Sequence, residues 1–179
     1  MNKLFKILSF LAVIALFVTA CGGQVAQAAG SAVNYQAVLG KSLDNKDVAE
    51  FIVSNNCSAA NSFQLCNDAG MALWLDSNQV VKSVYLYPGG ADGFAAYKGE
   101  LPLGLAVTDT MVTVEQKFGQ PKVDHALQAG WEPGLPDQSF TTDYIHYWAI
   151  YKRFGVTIVY NSPSSDDKNA TIYAILVNK

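Results

Sequence analysis

The chain is poor in the residues that usually do chemistry. Its 179 residues include two histidines and three cysteines. His125 and His146 stand in no metal-ligand motif with another histidine or a cysteine, and His146 reads as a packed strand residue. No Gly-x-Ser-x-Gly elbow is present to hold a nucleophile. The glycine-rich Gly89-Gly90-Ala91-Asp92-Gly93 lacks the Gly-Lys-Ser/Thr ending of a phosphate loop and reads as a turn. Residues 164–169 are polar but lack the bidentate glutamate of a calcium loop, so they read as a solvated hairpin. Basic residues form no run that could grip nucleic acid or a membrane surface. These absences argue against an enzyme and leave no metal and no cofactor to expect.

What is present begins at the amino terminus. Asn2, Lys3 and Lys6 make a short cationic start, and residues 7–18 are then apolar except for Ser9. That run falls short of the ~20 residues needed to span a bilayer and has the form of a secretory signal. Val18-Thr19-Ala20-Cys21 follows directly and resembles the lipobox of bacterial lipoproteins. Residues 1–20 are therefore expected to be a cleavable signal, with Cys21 the acylated (palmitate-bearing) residue. Two or three acyl chains, at ~0.8 kcal/mol per buried methylene, would hold the protein on a membrane. The competing reading is an ordinary signal cut after Ala29, which would release a soluble protein; Cys21 at the edge of the apolar run favours the anchor. Gly22 and Gly23 lack the aspartate that resembles an inner-membrane retention signal. That implies the outer membrane where the host has one, and otherwise the outer face of the plasma membrane.

Loss of Lys3 and Lys6 with the signal takes the 12 basic residues to 10 against 15 acidic ones, a net charge of −5. Nucleic acid is thus not an expected partner. With Cys21 acylated, Cys57 and Cys66 are left as an even pair in an exported chain, and a disulfide between them is expected. The alternative, a reactive thiol, lacks a neighbouring His or Lys in sequence to lower a thiol pKa. Residues 21–33, rich in Gly, Ala, Gln and Ser, read as a flexible tether reaching about 15 to 20 Å.

Beyond the tether the pattern occurs twice. Asp44 is a candidate helix cap, with Asp47 in the capping-box position and Leu43 and Val48 as a hydrophobic staple. Val48, Phe51 and Ile52 then share one face, and Asn55-Asn56 suits a left-handed end. In the second half Asp109 or Thr110 caps a helix whose apolar face is Met111, Val114 and Phe118, ended by Gly119 and Pro121. Strands are expected at 71–75 and 80–87 after the first helix, across a turn at 76–79. After the second they are expected at 144–151, 156–160 and 171–177. Residues 88–98 form the joint, with a short helix possible at 94–97. The expected class is α+β: two tandem helix-plus-antiparallel-sheet repeats, 34–97 and 98–179, each sheet covering its own helix.

The second unit carries a resemblance. Residues 104–121, with the Phe118-Gly119-Gln120-Pro121 ending, and the aromatic strand His146-Tyr147-Trp148-Ala149-Ile150-Tyr151 are similar to a repeat of the superfamily that holds the SmpA/BamE-like lipoproteins and β-lactamase inhibitory protein. The likeness covers about 75 residues and is weak in the first half, which lacks the Gly-x-Pro ending. It implies a tandem pair whose concave sheet face grips another protein. No inhibitory loop of that family aligns here, so it does not imply inhibition of a β-lactamase.

Tyrosine and tryptophan are common anchors of protein interfaces. Strand alternation puts Tyr147 and Tyr151 on one face and Tyr144, His146 and Trp148 on the other. Since only one face can pack on the helices, Tyr147, Tyr151, Tyr173 and Trp131 are the expected partner-binding residues, unless the rings fill the space between repeats. The expected function is a membrane-anchored, non-enzymatic protein-binding module in the cell envelope. The alternative is a small ligand or cell-wall glycan held in the cleft between repeats.

Overall fold

A computed structural model describes residues 34–121, 123–128 and 145–179, with side chains described throughout except at 123–128 and 145. Cys21, the signal, the tether and Trp131 lie outside the described residues. Among those described, no helix is long and apolar enough to cross a membrane.

The first helix, α1 (Lys46–Ser54), opens one residue later than the sequence suggested. Asn45 rather than Asp44 is its cap, its side-chain oxygen accepting the Asp47 N–H at 3.0 Å. Asp47 pairs instead with Lys41. Val48 and Phe51 are buried, and Asn56 ends the helix in the left-handed conformation at φ 51°. The second helix, α2 (Met111–Phe118), follows Thr110, whose N–H donates to the Thr113 hydroxyl at 2.8 Å. Gly119 closes it at φ 82°, its N–H on the Glu115 carbonyl.

The strands are β1 (Ser58–Ala60), β2 (Phe63–Cys66), β3 (Met71–Leu75), β4 (Val81–Leu86), β5 (Val123–Gln128), β6 (Ile145–Tyr151), β7 (Val156–Tyr160) and β8 (Ile172–Asn178). The fold is α+β but dominated by its sheet. Every pairing is antiparallel, and the order is β1-β2-β3-β4-β8-β7-β6-β5. The expectation of one sheet per helix is thereby corrected: β4 pairs with β8, with Val84 opposite Val177, and the two meanders fuse into a single sheet. Fusion removes two edges that would otherwise offer unpaired backbone groups. Residues 94–97 form no helix; Phe94 stacks on Tyr87 at 4.3 Å in a turn bridged between Ala91 and Phe94.

Alternation along these strands sorts the core into two layers. Met71, Leu73, Leu75, Val84, Leu86, Tyr147, Ala149, Tyr151, Ile158 and Tyr160 pack with Val48 and Phe51 of α1 and Met111 and Val114 of α2. On the opposite face Phe63, Leu65, Ala72, Tyr85, Tyr87, Trp148, Val159, Ala174 and Leu176 form a second cluster with Phe94, and it contains no helical residue. Cys57 and Cys66 stand at disulfide distance, their Cα atoms 4.1 Å apart, tying the end of α1 to β2. Such a loop stabilises a fold by roughly 2.5 to 3 kcal/mol through the entropy of the unfolded chain.

Candidate interaction surface

The aromatic residues singled out from the sequence do not come together at the surface. Tyr147 and Tyr151 are 5 % and 4 % exposed and lie under the helices, which corrects the expectation that they face solvent. Phe118 of α2 meets the Tyr151 ring edge-on at 5.7 Å, and Tyr147 stacks on its cross-strand neighbour Tyr160 at 6.1 Å. Burial, reinforced by the nearby Glu115 charge, pushes the Tyr151 hydroxyl up to about 12, and burial raises Tyr160 as well. Tyr151 and Tyr160 are core tyrosines, held neutral at any physiological pH.

Tyr173 lies on the other face and is half-buried. Its hydroxyl donates to Asp92 and its ring stacks on His146 with centroids 3.9 Å apart. His146 packs as the sequence suggested, buried, with Nδ1 3.0 Å from the Tyr160 carbonyl oxygen. Burial holds its pKa below the ordinary value, so it is neutral near pH 7, although the Tyr160 carbonyl and Asp92 oppose the shift. Residues 164–169 dock on α2 rather than projecting freely: Lys168 pairs with Glu115 at 2.7 Å, and the Lys168 carbonyl accepts the Val112 N–H. Among the described residues no group of three or more His, Cys, Asp or Glu is placed to hold a metal.

Among the described residues the exposed large apolar side chains are Val53 on α1, at 80 %, and two in the segment that leads into α2. Leu103 and Val107 are 44 % and 49 % exposed. The loop that carries them is pinned at many points. Leu105 is buried in the core and donates its N–H to the Pro102 carbonyl at 3.1 Å. Asp109 accepts the Ala106 N–H at 2.8 Å, the Lys117 ammonium at 2.6 Å and the Thr113 hydroxyl at 3.2 Å. Lys117 also donates to the Gly104 carbonyl at 3.2 Å. Burial opposes the charge on Asp109, but Lys117, the Ala106 N–H and Thr113 together outweigh it and hold the carboxyl below its ordinary range.

Leu103 itself sits in the left-handed region at φ 59°, ψ 24°. For an L-residue with a Cβ that conformation costs on the order of 1–2 kcal/mol. Neither core packing nor a turn-forming side chain repays it, because Leu103 is exposed and aliphatic.

Beside Leu103 lies a cleft of about 440 Å³ lined by Asn34, Tyr35, Gln36, Tyr97, Glu100, Leu101, Pro102 and Leu103. Tyr35 and Tyr97 meet edge to face there at 6.5 Å. Gly99 makes room for this: a Cβ at that position would lie 2.1 Å from the Tyr97 hydroxyl oxygen. Burial, with Tyr35 and Glu100 adding to it, raises Tyr97 to about 12, and burial raises Tyr35 also. A second cleft of about 340 Å³ runs along Lys117, Phe118 and residues 150–153. Two of its cations are already engaged, Lys117 by Asp109 and Arg153 by the Phe118 carbonyl at the end of α2.

The loop was missed from sequence because residues 100–104 were read as the opening of a second unit and Asp109 as a helix cap. A signal was there: Leu101, Leu103, Leu105, Ala106 and Val107 crowd together around Pro102 and Gly104 with neither strand nor helix period. Comparison with protein-family models, with curated proteins and with solved structures finds no match.

Proposed function

We propose that the protein is a non-enzymatic binding module, held in the cell envelope by lipid on Cys21, and that it contacts another protein through the loop bearing Leu103 and Val107. The observation that carries this reading is the fixed display of exposed leucine and valine, one of them in a costly backbone conformation. A preorganised apolar contact loses little conformational freedom on binding, which is where much affinity is otherwise lost. The chain order also supports a duplicated unit, since each half runs helix then four strands and the halves join at β4 and β8. That arrangement is in keeping with the resemblance to tandem-repeat lipoproteins.

The alternative of a glycan or small ligand finds its best place in the Tyr35–Tyr97 cleft, not between repeats, because the two halves share one sheet. Photo-crosslinking amino acids at Leu103 and Val107 in intact cells separate the readings. Discrete protein adducts at both positions, absent at Lys46 on α1, are expected. Adducts at neither position, with muropeptides shifting the Tyr97 resonances, would replace the protein partner with a glycan.

A further inference from the structure

The cleft beside Leu103 has a chemistry of its own. Glu100 is exposed on its rim and takes part in no ion pair among the described residues. The rings of Tyr35 and Tyr97 lie in the same lining, close enough to Glu100 for its charge to act on both hydroxyls. The two rings are only 5 % and 6 % exposed and wall the cleft rather than offer their faces, so selection falls to the carboxylate, which attracts a cation and repels an anion by charge. We infer that this cleft receives a lysine or arginine side chain of the partner polypeptide, while Leu103 and Val107 contact apolar residues next to it. The inference rests on the protein-binding reading above and gives the partner its character: a segment in which basic and apolar residues adjoin.

Three features of the molecule fit that occupant. The cleft, at about 440 Å³, has room for a long flexible side chain. The chain as a whole is acidic, with 15 acidic residues against 12 basic, so its field steers basic segments toward it. The apolar contacts stand at one end of the cleft, because Leu103 belongs to its lining and Val107 to the same pinned loop. In the cleft near Phe118, by contrast, Lys117 and Arg153 hold α2 and its preceding loop in place.

The test uses the purified full chain in detergent micelles and three fluorescent hexapeptides, acetyl-(Lys-Leu)3, acetyl-(Arg-Leu)3 and acetyl-(Glu-Leu)3 amides, followed by anisotropy. The basic peptides should bind at least about tenfold more tightly than the acidic one. Glu100→Gln, an exposed change that leaves the core alone, should weaken them about fivefold or more, and Glu100→Lys should invert the preference. Equal binding of all three peptides, or basic-peptide binding unchanged in Glu100→Gln, would overturn the proposal. The two readings fail separately. Cellular adducts at Leu103 and Val107 with peptide binding indifferent to Glu100 remove the cation site alone. Glu100-dependent peptide binding with no adduct at either position removes the envelope partner and leaves the cleft's preference for cations standing.

Discussion

Tyr151 and Leu103 exchange the places that residue type would assign them. The tyrosine, a favoured interface anchor, lies in the core beneath α2, while the leucine, a favoured core residue, stands in solvent on the loop before that helix. The difference teaches that strand alternation says which face a side chain takes but not what will cover it. Burial of Tyr147 and Tyr151 depends on a core shared with both helices, in which Phe118 of α2 reaches the Tyr151 ring, a long-range arrangement that no local period encodes. Exposure of Leu103 depends on a network centred on Asp109, whose members are spread along the chain from Gly104 to Lys117.

The comparison can be broken most forcefully at the core. Tyr151→Ala should destabilise the fold by about 3–5 kcal/mol, as for other large buried rings, whereas Leu103→Ala should change stability by less than about 0.5 kcal/mol. Urea unfolding of both variants measures this, and similar costs for the two would erase the distinction between core ring and displayed leucine. Next in size, reduction of the Cys57–Cys66 pair, or Ser at both positions, should cost roughly 2.5 to 3 kcal/mol by freeing the loop in the unfolded state. A shift of the unfolding midpoint in dithiothreitol reports it, with photo-crosslinking at Leu103 unaffected below the new midpoint.

Asp109 sharpens the other side. Its carboxyl titrates below the ordinary 3.8 when folded. A depressed carboxyl contributes stability that is complete above the unfolded pKa and is lost as pH falls through the folded one. The loop should therefore loosen in acid, below about pH 4 and not near neutrality. Asp109→Ala removes acceptors from Lys117, Thr113 and the Ala106 N–H, and should cost about 1–3 kcal/mol at pH 7. Faster amide exchange at Ala106 than at Val84 in that variant is the expected local signature, and uniform acceleration would mean that the loop is not separately held.

How much of this was legible in the sequence follows from the range of each interaction. Both helices were, because caps and apolar faces are local: Val48 and Phe51 recur at helical spacing, and Gly119 ends α2 where a glycine was expected. The hairpin of β3 and β4 was readable too, its turn closed by Asp76 accepting the Asn78 and Val80 N–H groups at 2.9 and 3.0 Å. Strands β1, β2 and β5 were not. Ser58–Ala60 is three small residues, Phe63–Cys66 is a run of four buried on both sides, and Val123–Gln128 follows a Pro-Lys pair and lacks a strict apolar alternation. The β4–β8 joint was also hidden, since it pairs residues nearly a hundred positions apart. The Cys57 and Cys66 pairing was reached from cysteine number and compartment alone, and the two stand at disulfide distance.

The most direct test of the displayed loop is Leu103→Gly, followed by two readouts in one variant. Glycine accepts φ 59° without the steric cost borne by leucine. Unfolding free energy should therefore rise by up to about 1 kcal/mol, while crosslinking from Val107 in cells falls several-fold because the neighbouring contact is gone. A variant that is less stable, or one that crosslinks from Val107 as well as the parent does, would contradict the claim that Leu103 is held in strain for a partner.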